Sequence, residues 1–211
     1  MGLRSLLPIE PHSLYRKTSN RKPLTFNLKK NLFQTIIITR PTFHDGEAAR
    51  ITTLLRQGTA SLLHIRKPTA TEKEVEALLE DIPADCRRYL VLHDHHHLAI
   101  RYGLYGVHLN TRAPQPPKGW TGSVSRSCHT LEEVMQWKEH CQYVSLSPIF
   151  NSVSKPGYYS AFTLEEIAQA VRNGIIDSRV YALGGVTFAR LDDVRAMGFG
   201  GAMILGDAWK E

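Results

Sequence analysis

Residues 33–68 read FQTIIITRPTFHDGEAARITTLLRQGTASLLHIRKP, with two short apolar runs on either side of an amphipathic segment. The runs 33–39 and 62–66 are rich in β-branched and aliphatic residues, which favours strands. Between them, four apolar residues repeat at helical spacing on one face: Ala48, Ile51, Leu54 and Leu55. A strand, a helix and a second strand in this order predict a βαβ unit with parallel strands.

The same alternation continues to the end of the chain. Further strands are predicted at 89–93, 106–109, 122–126, 143–146, 180–183 and 201–205, with helices at 95–101 and 188–197 among the segments between them. Capping-box pairs open two more helices, Thr71 with Glu74 and Thr163 with Glu166. Eight strands, most of them followed by helical sequence, predict an α/β fold, the (β/α)8 TIM barrel. The alternative is an open doubly wound sheet, but no glycine-rich turn follows the first strand.

The composition is typical of a globular domain, with 42% hydrophobic and 22% charged residues. No apolar run approaches the roughly 20 residues needed to cross a bilayer, so we expect no membrane partner. Cys86, Cys128 and Cys141 have no CxxC spacing. This pattern indicates free thiols in a reducing compartment, and we expect a cytoplasmic protein.

The net charge of +6 is concentrated in residues 1–32, which hold seven Lys or Arg residues against Glu10 alone. This segment also has three prolines and no sustained periodicity. We expect a basic, disordered extension there, followed by the TIM-barrel domain at 33–211. A targeting peptide is the alternative, although the apolar core of a secretory signal is missing. Residues 33–211 show no basic patch, so we expect no nucleic-acid partner.

Polar residues collect at the predicted C-terminal ends of the strands, where a TIM barrel carries its active site. In chain order they are His64, Arg66, Lys67, His93, Asp94, Ser127, His129, Ser147, Asn151, Ser152, Ser154, Lys155, Gly184, Gly185 and Gly206. Cations, hydroxyls and the backbone N–H groups of glycine turns before helices all bind anionic oxygens. Their joint position predicts a phosphate or diphosphate site.

Residues 91–100, VLHDHHHLAI, place four histidines around Asp94. A compact zinc site needs ligands that converge from one face, and consecutive histidines diverge. Asp94 is better interpreted as a Mg²⁺ ligand, because Mg²⁺ in phosphate chemistry takes one or two carboxylates together with phosphate oxygens. His95, His96 and His97 are then mainly polar residues at a helix start.

Four motifs, in order along residues 33–209, resemble the thiamine phosphate synthase and TenI-like family. Residues 147–155, SPIFNSVSK, resemble the family's diphosphate loop, in which a Pro-Ile-Phe turn leads to two hydroxyl residues and a lysine. Residues 126–133, RSCHTLEE, resemble a family segment with a serine, a histidine and two glutamates. The stretches GVHL at 106–109 and ALGGV at 182–186 also resemble family motifs.

The resemblance implies transfer of hydroxymethylpyrimidine from its diphosphate to thiazole phosphate, with release of diphosphate and with Mg²⁺ as cofactor. It implies that Arg66 and Lys155 clamp the diphosphate and that Asp94 holds Mg²⁺. The remaining implied catalytic residues are Ser127, which would orient the pyrimidine, and His129. The implied substrate-binding residues are His64, His93, Ser152, Ser154, Gly157, Gly184, Gly185 and Gly206, and the two neighbouring glycines would offer N–H groups to the thiazole phosphate.

Several positions depart from the family pattern. His64 replaces a glutamine, and Pro68 stands where the family has a lysine. Lys67 is one residue away and, on a strand, would point to the opposite face. The residue before Asp94 is histidine where the family has asparagine, and Gly206 replaces a serine. Residues 110–113, NTRA, replace Gly-Gln-Glu-Asp, so the second metal carboxylate is missing.

Three functions therefore remain open. A thiamine phosphate synthase is favoured by the diphosphate loop and Asp94. A TenI-like thiazole tautomerase would use His129 to move a proton on thiazole carboxylate phosphate, which suits a side chain that titrates near neutral pH. The third function is a non-catalytic, thiazole phosphate-binding regulatory barrel. In each case we expect small-molecule phosphates or diphosphates as partners, with a homo-oligomer as an open alternative.

Overall fold

The computed structural model describes residues 33–151 and 160–210, and their eight strands form one closed parallel barrel in chain order. The strands are β1 Gln34–Ile38, β2 Leu62–Ile65, β3 Leu90–Leu92, β4 Gly106–Leu109, β5 Ser123–Cys128, β6 Tyr143–Leu146, β7 Val180–Ala182 and β8 Gly201–Ile204. The barrel closes where β1 pairs with β8, with Gln34 opposite Gly201. The predicted TIM barrel is confirmed. The predicted basic extension, residues 1–32, lies outside the described residues.

The described helices lie between the strands. They are α1 Glu47–Arg56, α2 Glu72–Asp81, α3 Ala84–Arg87, α4 His97–Arg101, α5 Leu131–Trp137, α6 Leu164–Arg172 and α7 Leu191–Ala196, with 3-10 helices at Phe188–Arg190 and Asp207–Trp209. Both predicted capping boxes are present at the starts of α2 and α6. The predicted helix 188–197 is a 3-10 turn followed by a short α-helix, and the prediction missed α3.

Two apolar cores hold the barrel together. The larger lies between the strands and the helices, and the smaller fills the inside of the barrel. Six buried residues form the inner core: Ile36, Ile38, Leu62, Tyr143, Tyr181 and Met203. The rings of Tyr143 and Tyr181 stack there with their centroids 4.9 Å apart. Because side chains on a strand alternate between faces, the next inward position after Leu62 is His64, where the interior becomes polar.

The three cysteines are buried and free. Burial raises the pKa of Cys128 and of Cys141 to about 12, so both thiols stay protonated at neutral pH. These are the free thiols that the cysteine spacing indicated. No helix in 33–151 or 160–210 is long and apolar enough to span a bilayer.

Candidate active site

Three histidines meet inside the barrel at the C-terminal ends of neighbouring strands. His64 lies on β2, His93 directly follows β3 and His108 lies on β4. They are 0%, 5% and 2% exposed, and one ring nitrogen of each lies within 4.8 Å of one in each of the others. His64 Nδ1 is 2.9 Å from His93 Nε2, and the rings of His93 and His108 stack with centroids 4.1 Å apart. We call these three residues the histidine triad.

Hydroxyl groups hold two of the three rings in place. His64 Nε2 lies 2.6 Å from the hydroxyl of Tyr143, which belongs to the inner apolar core. His108 Nδ1 and Nε2 lie 2.9 and 3.0 Å from the hydroxyl oxygens of Ser125 and Ser127. The strand register explains the contact between His108 and Ser125, since these two residues pair directly across β4 and β5. These hydroxyl groups therefore fix the orientation of the His64 and His108 rings.

The histidine triad is neutral at physiological pH. Burial lowers the pKa of His64 and of His93 well below the usual range, and the nearby ring of His108 adds to both shifts. Burial also lowers the pKa of His108 to about 3, with smaller contributions from His96 and Arg126. A neutral imidazole has one donor and one acceptor nitrogen, so each ring offers a lone pair to a proton donor or a cation.

Asp94 follows β3, as predicted, but its carboxylate is already bound by an arginine. The Nε and Nη2 atoms of Arg112 donate to the two carboxylate oxygens of Asp94 at 2.9 and 3.1 Å. This hydrogen bond raises the pKa of Arg112. Arg112 belongs to the segment 110–113, where the resemblance to the family fails. A fixed positive charge thus lies against the predicted metal ligand, and sequence reasoning did not anticipate this pair.

Arg66 brings a positive charge to the end of β2. Its backbone N–H donates to the hydroxyl of Thr39 at 2.9 Å, which anchors the residue to the neighbouring strand end. Its charge contributes to the lowered pKa values of His93 and His108, which indicates that the guanidinium lies near the histidine triad. Within 33–151 and 160–210, no carboxylate pairs with Arg66. This cation is available to an anionic ligand.

Lys67 points away from the barrel interior, as strand alternation predicted. Its ammonium donates to both carboxylate oxygens of Glu47 at 2.7 and 2.8 Å, and to the carbonyl oxygens of Arg40 and Thr42 at 3.0 and 2.8 Å. The side chains of Lys67 and Glu47 are 1% and 2% exposed. Lys67 therefore anchors the loop between β1 and α1 and is not a phosphate ligand.

The histidine run after Asp94 diverges, as predicted. His95 has a φ of 52°, and α4 begins two residues later than expected. Exposed His97 pairs with Glu72 at 3.0 Å. The prediction that His95, His96 and His97 are mainly polar residues at a helix start is wrong for His96. This side chain is buried, and its Nε2 lies 3.2 Å from the carbonyl oxygen of His108. It ties the start of α4 to the end of β4.

Ser127 and His129 lie at the end of β5 and just beyond it. The Ser127 hydroxyl accepts a hydrogen bond from Ser145 at 3.1 Å, in addition to its contact with the histidine triad. His129 is exposed, and its Nδ1 donates to the carbonyl oxygen of Ser147 at 3.2 Å. The Ser147 hydroxyl lies 3.3 Å from the same nitrogen, so Ser147 orients the ring, and no residue of 33–151 or 160–210 pairs with Nε2. Both residues thus lie at the predicted end of the barrel.

The Gly184-Gly185 turn packs closely against the chain after β6. Both residues have positive φ, 88° and 66°. A Cβ on Gly184 would lie 2.8 Å from Pro148 Cα, and one on Gly185 would lie 2.6 Å from the carbonyl oxygen of Asn151. Both the backbone conformation and the space available therefore require glycine. Among the described residues, no acceptor pairs with the N–H groups of this turn.

Of the remaining predicted substrate-binding and catalytic residues, the structure describes only Gly206. Gly206 is exposed and precedes the three-residue 3-10 helix Asp207–Trp209. Ser152, Ser154, Lys155 and Gly157 lie outside the described residues, so their roles stay predictions. The described residues of the diphosphate loop end at Asn151, next to the Gly184-Gly185 turn. His108 and Arg112 were missed by sequence reasoning.

Comparison with known proteins decides the family. A family model described as thiamine monophosphate synthase matches residues 35–206, which is almost the entire barrel. The chain belongs to the thiamine monophosphate synthase family. Two curated relatives agree with this assignment, and both are named thiamine-phosphate synthase. The relative from Thermus thermophilus is 30% identical over 148 residues, which cover 67% of this chain and 71% of that protein.

The second relative is longer than this member of the thiamine monophosphate synthase family. The protein from Parasynechococcus marenigrum is 30% identical over 166 residues, which are 74% of this chain but 46% of the relative. This chain therefore spans about half the length of that relative. The predicted family resemblance is confirmed for the barrel, whereas the individual site residues stay predictions.

Two solved structures resemble this family member. The thiamine phosphate pyrophosphorylase from Bacteroides thetaiotaomicron is 41% identical with a TM-score of 0.76, and the match covers 84% of this chain and 85% of that chain. The thiamine phosphate pyrophosphorylase from Pyrococcus furiosus has a TM-score of 0.65 at 18% identity, so it supports the fold alone.

Proposed function

We propose that this chain is a thiamine phosphate synthase, a transferase of thiamine biosynthesis. The observation that most strongly supports this proposal is the 41% identity to the Bacteroides thiamine phosphate pyrophosphorylase, in a match that covers 85% of that chain. In the proposed reaction, hydroxymethylpyrimidine is transferred from its diphosphate to thiazole phosphate. The bond from the pyrimidine methylene carbon to oxygen breaks, the thiazole takes that carbon, and diphosphate leaves with the bonding electrons.

The proposed roles follow from where negative charge develops. Diphosphate gains charge as its bond to carbon breaks, and cations placed against it stabilise the transition state. Arg66 supplies one such charge, because no described carboxylate neutralises it. Lys155, with Ser152 and Ser154, is the proposed second half of the clamp. The N–H groups of Gly184-Gly185 are the proposed ligands of the thiazole phosphate, as glycine lets an anion approach the backbone closely.

The pyrimidine is proposed to lie over the histidine triad and Ser127. His64 and His93 then replace the two amide side chains that the family pattern has at these positions. The Ser127 hydroxyl is 3.0 Å from His108 Nε2, so it has a fixed orientation. These contacts are proposed to orient the ring and exclude water from the cationic carbon. The substrates are small-molecule phosphates, and a cytoplasmic location stays a prediction from the free thiols.

The Mg²⁺ that the resemblance implies does not fit the described residues. Two carboxylates hold it in the family pattern, but here one is missing and Asp94 forms a bidentate pair with Arg112. Mg²⁺ prefers oxygen ligands in near-octahedral geometry, and this site has a single, already neutralised carboxylate. We therefore assign no step of the transfer to Mg²⁺.

The test is to incubate the full chain with both synthase substrates and to measure diphosphate release and thiamine phosphate formation. We expect equimolar products that require both substrates, with Arg66→Ala or Lys155→Ala lowering kcat at least about 100-fold, since one preorganised transition-state contact contributes about that much. Lys73→Ala, on the exposed face of α2, is the matched control. No diphosphate release with any divalent cation or with EDTA would contradict the transferase.

The tautomerase is the second candidate, and the engaged state of Asp94 favours it because that reaction needs neither metal nor diphosphate. Exposed His129, held through Nδ1 by Ser147, would move the proton through Nε2. The assay is to incubate the protein with thiazole carboxylate phosphate in D₂O and to measure isomerisation of this compound. Isomerisation that disappears in His129→Ala, without any diphosphate release, would replace the first proposal. Binding of thiazole phosphate without either activity would indicate the regulatory barrel.

A further inference from the structure

The histidine triad has the geometry of a ligand set for a transition metal. Three imidazoles from three neighbouring strands meet at one end of the barrel, with one ring nitrogen of each within 4.8 Å of one in each of the others. We propose that His64, His93 and His108 bind a divalent d-block cation of the Zn²⁺ type. This inference does not rest on the transferase, because it concerns only the ligands and their geometry.

The distances suit a cation that replaces a shared proton. His64 Nδ1 and His93 Nε2 are 2.9 Å apart, as in a hydrogen bond between the two rings. Zinc–nitrogen bonds of about 2.0–2.1 Å at a tetrahedral angle place two ligand nitrogens about 3.3 Å apart. The two rings therefore need to separate by only a few tenths of an ångström. His108 Nε2 lies 3.0 Å from the Ser127 hydroxyl, so binding of the cation through this nitrogen would replace that contact.

The hydroxyl groups around the rings match the partners that metal-binding histidines use. A ligand histidine usually donates its second ring N–H to an oxygen, which fixes the tautomer and the ring direction. If His64 binds through Nδ1, its Nε2–H donates to the Tyr143 hydroxyl at 2.6 Å. If His108 binds through Nε2, its Nδ1–H donates to Ser125 at 2.9 Å. Two of the three ligands thus already have oriented partners.

The chemistry of the donors selects the class of cation. Imidazole nitrogen favours zinc, cobalt, nickel and copper, whereas magnesium requires oxygen ligands. Three protein ligands leave a fourth position of a tetrahedral ion open, as in catalytic zinc sites. His64 and His93 both occupy positions where the family pattern has an amide side chain. The two histidines together supply imidazole nitrogens that the two amides would not.

The experiment uses the full, untagged chain after removal of metal with a chelator. Co²⁺ is titrated while the visible d–d absorption is recorded, and bound Zn²⁺ is counted by mass spectrometry after gel filtration. We expect one equivalent of either ion, with the intense absorption of four-coordinate Co²⁺. His64→Gln and His93→Asn, which restore the family residues, should each weaken affinity at least about 100-fold.

His97→Gln is the matched control, because His97 lies in the same histidine run but is exposed and pairs with Glu72. It should keep full affinity. Circular dichroism establishes that each variant is folded, and the Zn²⁺-induced rise in Tm of the unmodified chain provides a readout that needs no variant. Absence of stoichiometric Co²⁺ binding, or equal affinity in the His64→Gln/His93→Asn double variant, would overturn the site. Neither result depends on transferase activity.

Discussion

Lys67→Met should destabilise this protein severely, because the ammonium of Lys67 balances a buried carboxylate. Lys67 Nζ lies within 3.0 Å of four oxygens, two of which belong to Glu47. Methionine preserves most of the side-chain volume but removes the ammonium, which leaves the buried Glu47 carboxylate with the ring of His44, 3.8 Å away, in place of a fixed cation. Removal of one partner from a buried ion pair costs about 3–5 kcal/mol. For a chain of this size, the Tm should fall by roughly 6–20 °C.

The assay is urea unfolding with calorimetry on Lys67→Met, on the Glu47→Leu/Lys67→Met double variant and on Lys73→Met. The double variant should recover much of the loss, since an apolar pair of similar volume often replaces a buried ion pair at little net cost. Lys73 is exposed on α2, so its variant should stay within about 0.5 kcal/mol. A Lys67→Met variant with unchanged unfolding free energy but no activity would refute the structural role and place Lys67 in the chemistry.

Two further predictions concern the glycine turn and the Asp94–Arg112 pair. Gly185→Ala should lower the unfolding free energy by at least about 2 kcal/mol, whereas Gly174→Ala, with a φ of 69° and open space around it, should lose only about 1 kcal/mol. Equal losses in urea titrations would show that the contact with the loop after β6 contributes nothing. Arg112→Ala should raise the affinity for Mg²⁺ about 2- to 5-fold in calorimetric titrations, because a partly exposed ion pair that competes for Asp94 contributes about 0.5–1 kcal/mol. An unchanged affinity would mean that Arg112 does not block the cation.

Much of the site could be placed from sequence because its residues follow strand ends. His64, Arg66, His93 and Asp94 were predicted at the C-terminal ends of two strands, and the structure places them there. Strand alternation also separated Lys67 from Arg66. His108 was missed, because a histidine within the apolar stretch GVHL has no local signal that distinguishes a ligand from a core residue.

The pairing of Arg112 with Asp94 was equally invisible in the sequence. The two residues are 18 positions apart, and a charged residue in a loop has many partners within reach. Sequence reasoning recognised the missing carboxylate in 110–113 but not that the replacement is a cation facing Asp94. The same limit applies to His96, whose burial depends on how the start of α4 packs against β4.

The periodicity of apolar residues and the two capping boxes by themselves determined the eight strands, their order and the class of fold, because these signals are local. Only the closed barrel decided which polar side chains share a space. Parallel pairing aligns the strand ends so that His64 contacts His93, 29 positions away, and His108 contacts Ser125, 17 positions away. Such contacts depend on register and side-chain direction across strands, which are properties of the assembled sheet.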